Sequence, residues 1–392
     1  MSTVFQNCHF FAGTSATVQP NSWFAVDDAG KLTATGTGTA PNADTQVDLH
    51  GGYVTPGLFN VHTHISLDPQ TADGGARTNV VATTVRAVAH LHDLLRSGVT
   101  YIRECGCTYD IDIALRQMQK SGRLPQVPTI MPAGGLFSMT GGHGDAPNGG
   151  NIVDSPDEMR KAVRTAMKNG AEAIKLVATG GVMTPNDFMN DPQLSTAEMA
   201  VGVEEAHHKH RVVACHAEGN PGIMNAIEAG VDSIEHGFYV NDTEIDLMLK
   251  QGTYLTPTIV ADWAFPTYAQ GKVPAWELKK ATDAYTDLCH NIMHAFKRGV
   301  PLTLGTDAGT VFNDFTMTPI ELQLMVANGM TPFEAFDTSV NGAKLMRVDS
   351  AYGTLEPGKY ADFLVLRANP LQDIKAFQQA DKAVYLKGKR QY

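Results

Sequence analysis

At 392 residues, 43% of them hydrophobic and 18% charged, the chain has a globular composition and exceeds what one core usually supports, so one large and one smaller domain are expected. A formal net charge of −11 argues against nucleic acid and against an anionic membrane surface as partners. Five scattered cysteines (Cys8, Cys105, Cys107, Cys215 and Cys289) form an odd set that suits reduced thiols in a cytoplasmic protein, and the Cys105/Cys107 pair has no second pair at zinc-site spacing.

The N-terminal text "MSTVFQNCHFFAGTSATVQP" has neither the basic nor the apolar region of a signal peptide, and no apolar run reaches the length of about 18 residues that a membrane span needs. A soluble, cytoplasmic protein is therefore expected. The first 55 or so residues read as short strands broken by turns, with "DDAG" a hairpin signal. The last 45 or so, "GTLEPGKYADFLVLRANP" and "KAVYLKGKRQY", have the same strand–turn–strand texture. Between them apolar strands alternate with helical stretches, the pattern of repeated βα units. Helix starts are explicit: Ser195–Glu198 reads as a capping box, and "TPIE" (318–321) and "TPFE" (331–334) add proline at the first helical position.

Eight strand candidates fill the middle region: "GLFNVHTH", "VTYIREC", "TIMPAGG", "EAIKLVATGG", "RVVACHAEG", "DSIEHG", "TYLTPTI" and "PLTLGTDAG". Eight parallel strands with intervening helices suit an α/β (β/α)₈ TIM barrel, whose active sites lie at the C-terminal strand ends. An open doubly wound sheet is the alternative, but its glycine fingerprint after the first strand is missing.

Strand alternation then sorts the polar residues. Asn60, His62 and His64 share one face, opposite Phe59 and Val61; Val212, Ala214 and His216 share another; His236 ends its strand; Thr303, Gly305 and Asp307 lie opposite Leu302 and Leu304. Singly, each histidine reads as a hydrogen-bonded structural residue and Asp307 as a turn residue or helix cap. Together, four histidines and an aspartate at one rim form a nitrogen and oxygen ligand set suited to zinc or a similar divalent ion. Lys175 shares a face with Ala173 and Val177 and points inward with them. Burial and nearby positive charge favour a neutral amine there, and such an amine can take up carbon dioxide as a carbamate long enough to bridge two metals. The plainer alternative is a barrel lysine paired with an acid. His207, His208 and His210 in "AHHKHR" read as a solvated helix end, and Arg103 in "IREC" as a residue that orients the site or a substrate.

These motifs resemble the amidohydrolase superfamily over nearly the whole chain: "PGLFNVHTH", "IKLVATGG", "ACHAEG", "SIEHG" and "TLGTDAG" match its metal-binding strands, with Asn60 where an aspartate is common. The resemblance implies a small β-sandwich domain built from residues 1–57 and 347–392 around a barrel of 58–346. It also implies a binuclear site: His62, His64 and Asp307 on one metal, His216 and His236 on the other, and carbamylated Lys175 bridging both, with zinc the expected metal. A metal-bridged hydroxide would attack, with Asp307 as general acid and base. The branch that looks similar is the prolidase-like, imidazolonepropionase-related one of Xaa-Pro and Xaa-Arg dipeptidases. It is suggested by the loop "GGLFSMTGGHGD" (134–145), by "ATGGVMTP" and by "EHGFYV". On that resemblance Tyr239 would stabilise an oxyanion near the scissile carbonyl and His143 would pair with a substrate carboxylate. The five glycines within residues 134–144 suit a closing lid. Glu104 and Cys105, where the family commonly has aspartate and glycine after the arginine, are departures.

The expected activity is cleavage of the amide bond of dipeptides or N-acyl amino acids. Other amides, cyclic amides and carbamates remain open, as does a mononuclear deaminase, although Lys175 argues against the last. A non-catalytic barrel is disfavoured by the intact ligand set. Related enzymes assemble as homo-oligomers, so a homo-oligomer is the expected state, with a small molecule or dipeptide as substrate.

Overall fold

In a computed structural model the described residues are 2–71, 75, 78–146, 149–181 and 187–392. Both chain ends enter one seven-stranded sheet. Its order is Lys389–Arg390, Ala383–Leu386, Phe363–Leu366, Thr45–Pro56, Thr3–Phe10, Gln19–Val26, Leu32–Thr37. Alternation places Phe5, Phe24 and Phe363 on its buried face, where Phe5 stacks on Phe24 at 4.9 Å and Phe363 on Tyr385 at 4.3 Å. The pairing of Phe363–Leu366 with Thr45–Pro56 ties the C-terminal strands to the segment that leads into the barrel.

The barrel follows from seven regular parallel strands: Leu58–Thr63, Val99–Glu104, Thr129–Met131, Ala173–Val177, Val212–Ala217, Ser233–His236 and Tyr254–Thr256. An eighth position, 301–308, is held by single bridges and by backbone bonds to both neighbours. Thr303 N donates to Leu255 O at 2.9 Å and Val61 N to Leu304 O at 2.9 Å. The third and fourth strands join where Glu172 N and Ala173 N donate to Pro132 O at 2.7 and 3.1 Å, which completes the circuit. All eight expected strands are therefore present and the barrel is closed.

Helix ends follow local chemistry in most places. Asn79 caps Val80–Ser97, whose buried Ala87, Leu91, Leu94 and Leu95 form a helical stripe against the barrel, and Gly98 ends it at φ 105°. The capping boxes at Ser195 and Thr331 form as read. The one read at Thr318 does not. Thr318 lies inside its helix and accepts from Asn60 Nδ2 at 3.0 Å, while buried Glu321 turns away to accept from Ile259 N and Val260 N. Two orphan amides at the start of another helix outcompete the local cap. Among the described residues no helix is long and apolar enough to cross a membrane, and all five cysteines are free thiols.

Candidate active site

The strand-end residues converge at one mouth of the barrel. His64 Nε2 and His62 Nε2 lie 3.1 and 3.3 Å from Asp307 Oδ1, and Lys175 Nζ lies 3.3 Å from His62 Nε2. The His236 ring is 4.9 Å from both His62 and His216. Among the described residues four groups have donor atoms within 4.8 Å of one another, and two of them line the mouth as candidate metal sites: His62, His64 and Asp307, and His216, Glu218 and His236. Lys175 stands beside the first of them.

One nitrogen of each imidazole is already engaged. His62 Nδ1 meets Glu235 Oε2 at 2.8 Å, His64 Nδ1 meets Gly106 O at 2.9 Å, His236 Nδ1 meets Thr258 Oγ1 at 2.7 Å, and His216 Nε2 meets Gly180 O at 3.1 Å. A donor bond on one nitrogen fixes the tautomer and turns the other lone pair inward, which is how metal-ligating histidines are held. Burial lowers the pKa of His62, and carries His216 and His236 well below the ordinary value, so all three are neutral near pH 7. Burial alone would raise Asp307, but the side-chain hydrogen bonds with His62 and His64 outweigh it and hold the carboxyl well below its usual range. Neutral imidazoles and an ionised carboxylate are the donor set a divalent ion requires, so the residues fit such a group. His236, Thr258 and Asp307 have left-handed φ of 72°, 49° and 59°, a concentration of backbone strain at the mouth.

Beneath the histidines lies a layer in which Arg103 was read as an orienting residue while Ser233 and Glu235 went unread. Arg103 is fully buried and donates from Nε to Val61 O at 2.7 Å, and from its other nitrogens to Ser233 Oγ at 3.0 Å and Glu235 Oε1 at 2.6 Å. Arg103 therefore does not face a substrate; it anchors Glu235, which in turn orients His62. In "DSIEHG" the parity of Ser233 and Glu235 against Ile234 was the available signal. Cys105 lies within reach of His62 and Glu235, but burial pushes its thiol up to about 12, so it stays protonated.

The mouth opens into a cavity of about 370 Å³, a size suited to a small ligand. His143 lines it, stacked at 4.5 Å on His216, with Nδ1 2.9 Å from Asp187 Oδ2. Gly142 and Gly144 of the same loop line it too. Tyr239 does not: Phe238 occupies the wall, and the half-buried Tyr239 lies outside it. Residues 182–185 of "ATGGVMTP" lie outside the described residues. His207 is not merely solvated, since its Nε2 meets Asp232 Oδ2 at 2.8 Å, while His208 and His210 are exposed.

A closed barrel with this donor set at its strand ends defines a class of hydrolase. The chain belongs to the amidohydrolase family, whose model matches residues 53–390. An ochratoxinase from Aspergillus niger is 32% identical over 357 residues, covering 83% of this chain and 72% of that protein. An imidazolonepropionase from Pseudomonas putida (strain GB-1) is 25% identical over 442 residues, covering 99% of each. The crystal structure of a Xaa-Pro dipeptidase with methionine bound in its active site matches with a TM-score of 0.89 at 30% identity, covering 100% of this chain and 99% of that one. The chain is thus a hydrolase acting on C–N bonds, of a family that generally uses divalent metal ions.

Proposed function

We propose that the chain cleaves the amide bond of dipeptides or N-acyl amino acids, in the manner of an Xaa-Pro dipeptidase or carboxypeptidase. The observation that carries this reading is the convergence of His62, His64, Asp307, His216, His236 and Lys175 on the floor of a single cavity. His62, His64 and Asp307 would hold one divalent ion, with zinc the metal this donor set suits, and His216 and His236 a second. Bound there, such ions make water acidic enough to attack at neutral pH and polarise the carbonyl under attack. Asp307 takes a proton from the attacking water and delivers it to the leaving amine nitrogen. Lys175 would carry the carbamate: addition of its amine Nζ to the carbon of carbon dioxide, with one proton released to solvent, would give a carboxylate-like group able to serve both ligand sets. His143 faces the cavity where a substrate carboxylate can reach it. Tyr239, next to cavity-lining Phe238, would stabilise the oxyanion that develops at the scissile carbonyl.

The likeness to ochratoxinase favours a second reading, an amide other than a dipeptide. Residues 1–57 with 347–392, and residues 58–346, are taken as the small β-sandwich domain and the barrel. The protein is further taken as a cytoplasmic homo-oligomer, which light scattering tests: a single-chain mass would remove the oligomer. A library of dipeptides and N-acyl amino acids, supplied with zinc and bicarbonate, tests the activity. Full activity of Lys175→Ala without added short carboxylic acids would remove the bridging role.

A further inference from the structure

Asp307 stands at the least regular strand position of the barrel. His62, Lys175, His216 and His236 lie in regular strands, whereas 301–308 is held by single bridges. Asp307 also has a left-handed φ of 59°, a conformation that is costly for a residue with a side chain. Thr306 N and Asp307 N both donate to His62 O, at 3.4 and 2.9 Å, which ties the pair to the first strand. The two carbonyls of the pair are buried as well, and each needs a donor.

One side chain meets both. Asn313 is fully buried, and its Nδ2 donates to Thr306 O at 2.6 Å and to Asp307 O at 2.9 Å. Carbonyl oxygens only accept, so the NH₂ end of the amide must face them. Its Oδ1 accepts from no donor among the described residues, so the side chain is engaged through its donor end alone. The turn that carries Asn313 is closed by its own backbone: Asn313 N donates to Thr310 O at 2.9 Å, and Gly309 N donates to Asn313 O at 3.0 Å. Thr310 Oγ1 adds a further bond to Asp307 O at 2.8 Å. From the opposite side Asn60 Nδ2 donates to Thr306 Oγ1 at 2.7 Å, while Asn60 Oδ1 accepts from His62 N at 3.2 Å. Asn313 stands outside the cavity lining, so it reaches the chemistry only through Asp307.

We propose that Asn313 is a positioning residue for Asp307. Its amide supplies the bonds that a regular strand would have supplied, and so fixes the left-handed turn that points the Asp307 carboxylate at His62 and His64. The proposal rests on the reading of Asp307 as a metal ligand and proton carrier, and deepens it by naming what holds that carboxylate in place.

The zinc-loaded parent, Asn313→Ala and Asn328→Ala are each challenged with a competing chelator, and kcat, KM and thermal melts are measured beside them. Asn328→Ala is the control: it removes another side-chain amide, bonded to Leu324 O at 2.9 Å and outside the cavity lining. Asn313→Ala is expected to release one zinc equivalent about 10–100-fold more readily, with any second held within about threefold. Its kcat is expected to fall about tenfold or more at nearly unchanged KM. Asn328→Ala is expected to lower the melting temperature alone. Zinc retention and kcat equal to the parent's in folded Asn313→Ala, an equal loosening of both equivalents, or the same losses in Asn328→Ala would overturn the proposal. Hydrogen exchange on the parent needs no variant. Coupling is reciprocal, so zinc is expected to slow exchange at the Gly309 and Asn313 amides, and unchanged exchange there would also overturn the proposal. If no amide is cleaved while zinc retention still depends on Asn313, the functional reading fails and the positioning role stands.

Discussion

Replacing Glu235 with glutamine perturbs the layer that holds the first histidine. The Glu235 carboxylate meets Arg103 at 2.6 Å and His62 Nδ1 at 2.8 Å, and also accepts from the Ser233 hydroxyl. A glutamine can present its one oxygen to Arg103 or to His62, but not to both. With the oxygen towards Arg103, the amide NH₂ faces Nδ1 and forces that nitrogen to accept, which moves the imidazole proton to Nε2, the nitrogen nearest Asp307 and Lys175. With the oxygen towards His62, an NH₂ faces the guanidinium. Either way Arg103, fully buried, loses its counter-charge. Breaking a buried pair in this manner costs on the order of 3–5 kcal/mol, and losing the partner that orients a ligand weakens metal binding about 10–100-fold. Urea denaturation and metal retention against a competing chelator measure the two effects separately. The double variant Arg103→Met, Glu235→Gln should recover part of the stability but not the metal affinity, since His62 still lacks its acceptor. A Glu235→Gln protein with an unchanged urea midpoint and unchanged metal retention would refute this arrangement.

Tyr239→Phe tests the oxyanion role: a loss of about a hundredfold in kcat supports it, and a kcat within about twofold, as the absence of Tyr239 from the cavity lining would give, removes it. Gly309 has φ 109°, and a Cβ there would sit 2.4 Å from His64 O, so Gly309→Ala should destabilise the fold by roughly 1–3 kcal/mol and lower metal affinity, as read by thermal melting and chelator competition. Glu205 is bound by Arg164 and Arg160, which hold its carboxyl below the ordinary value of 4.5. A depressed pKa adds stability that is full above the unfolded value and is lost as pH falls through the folded one. The stability gap between the parent and Glu205→Gln, measured by urea melts across pH, should therefore be constant near neutrality and close in acid.

The ligand set was legible because strand alternation and strand ends are local properties. His62, His64, Lys175 and His216 each follow from period-two counting within a single strand. What escaped the reading depends on pairing across the barrel or on departures from that period. Arg103 and Glu235 are 132 residues apart in sequence, so no window contains both. Consecutive left-handed residues, His236 at φ 72° and Gly237 at φ 64°, interrupt alternation there, so counting onward from His236 does not tell which of Phe238 and Tyr239 faces the cavity. Thr318 carried a sound local cap signal, and a tertiary demand for Glu321 overrode it.

Elemental analysis of the purified protein, beside Lys175→Ala, tests the central claim most directly. The account predicts about two equivalents of divalent metal per chain, together with amide hydrolysis, and loss of both the second equivalent and the activity in the variant. About one equivalent per chain with full amide hydrolysis, unchanged by Lys175→Ala, would contradict it.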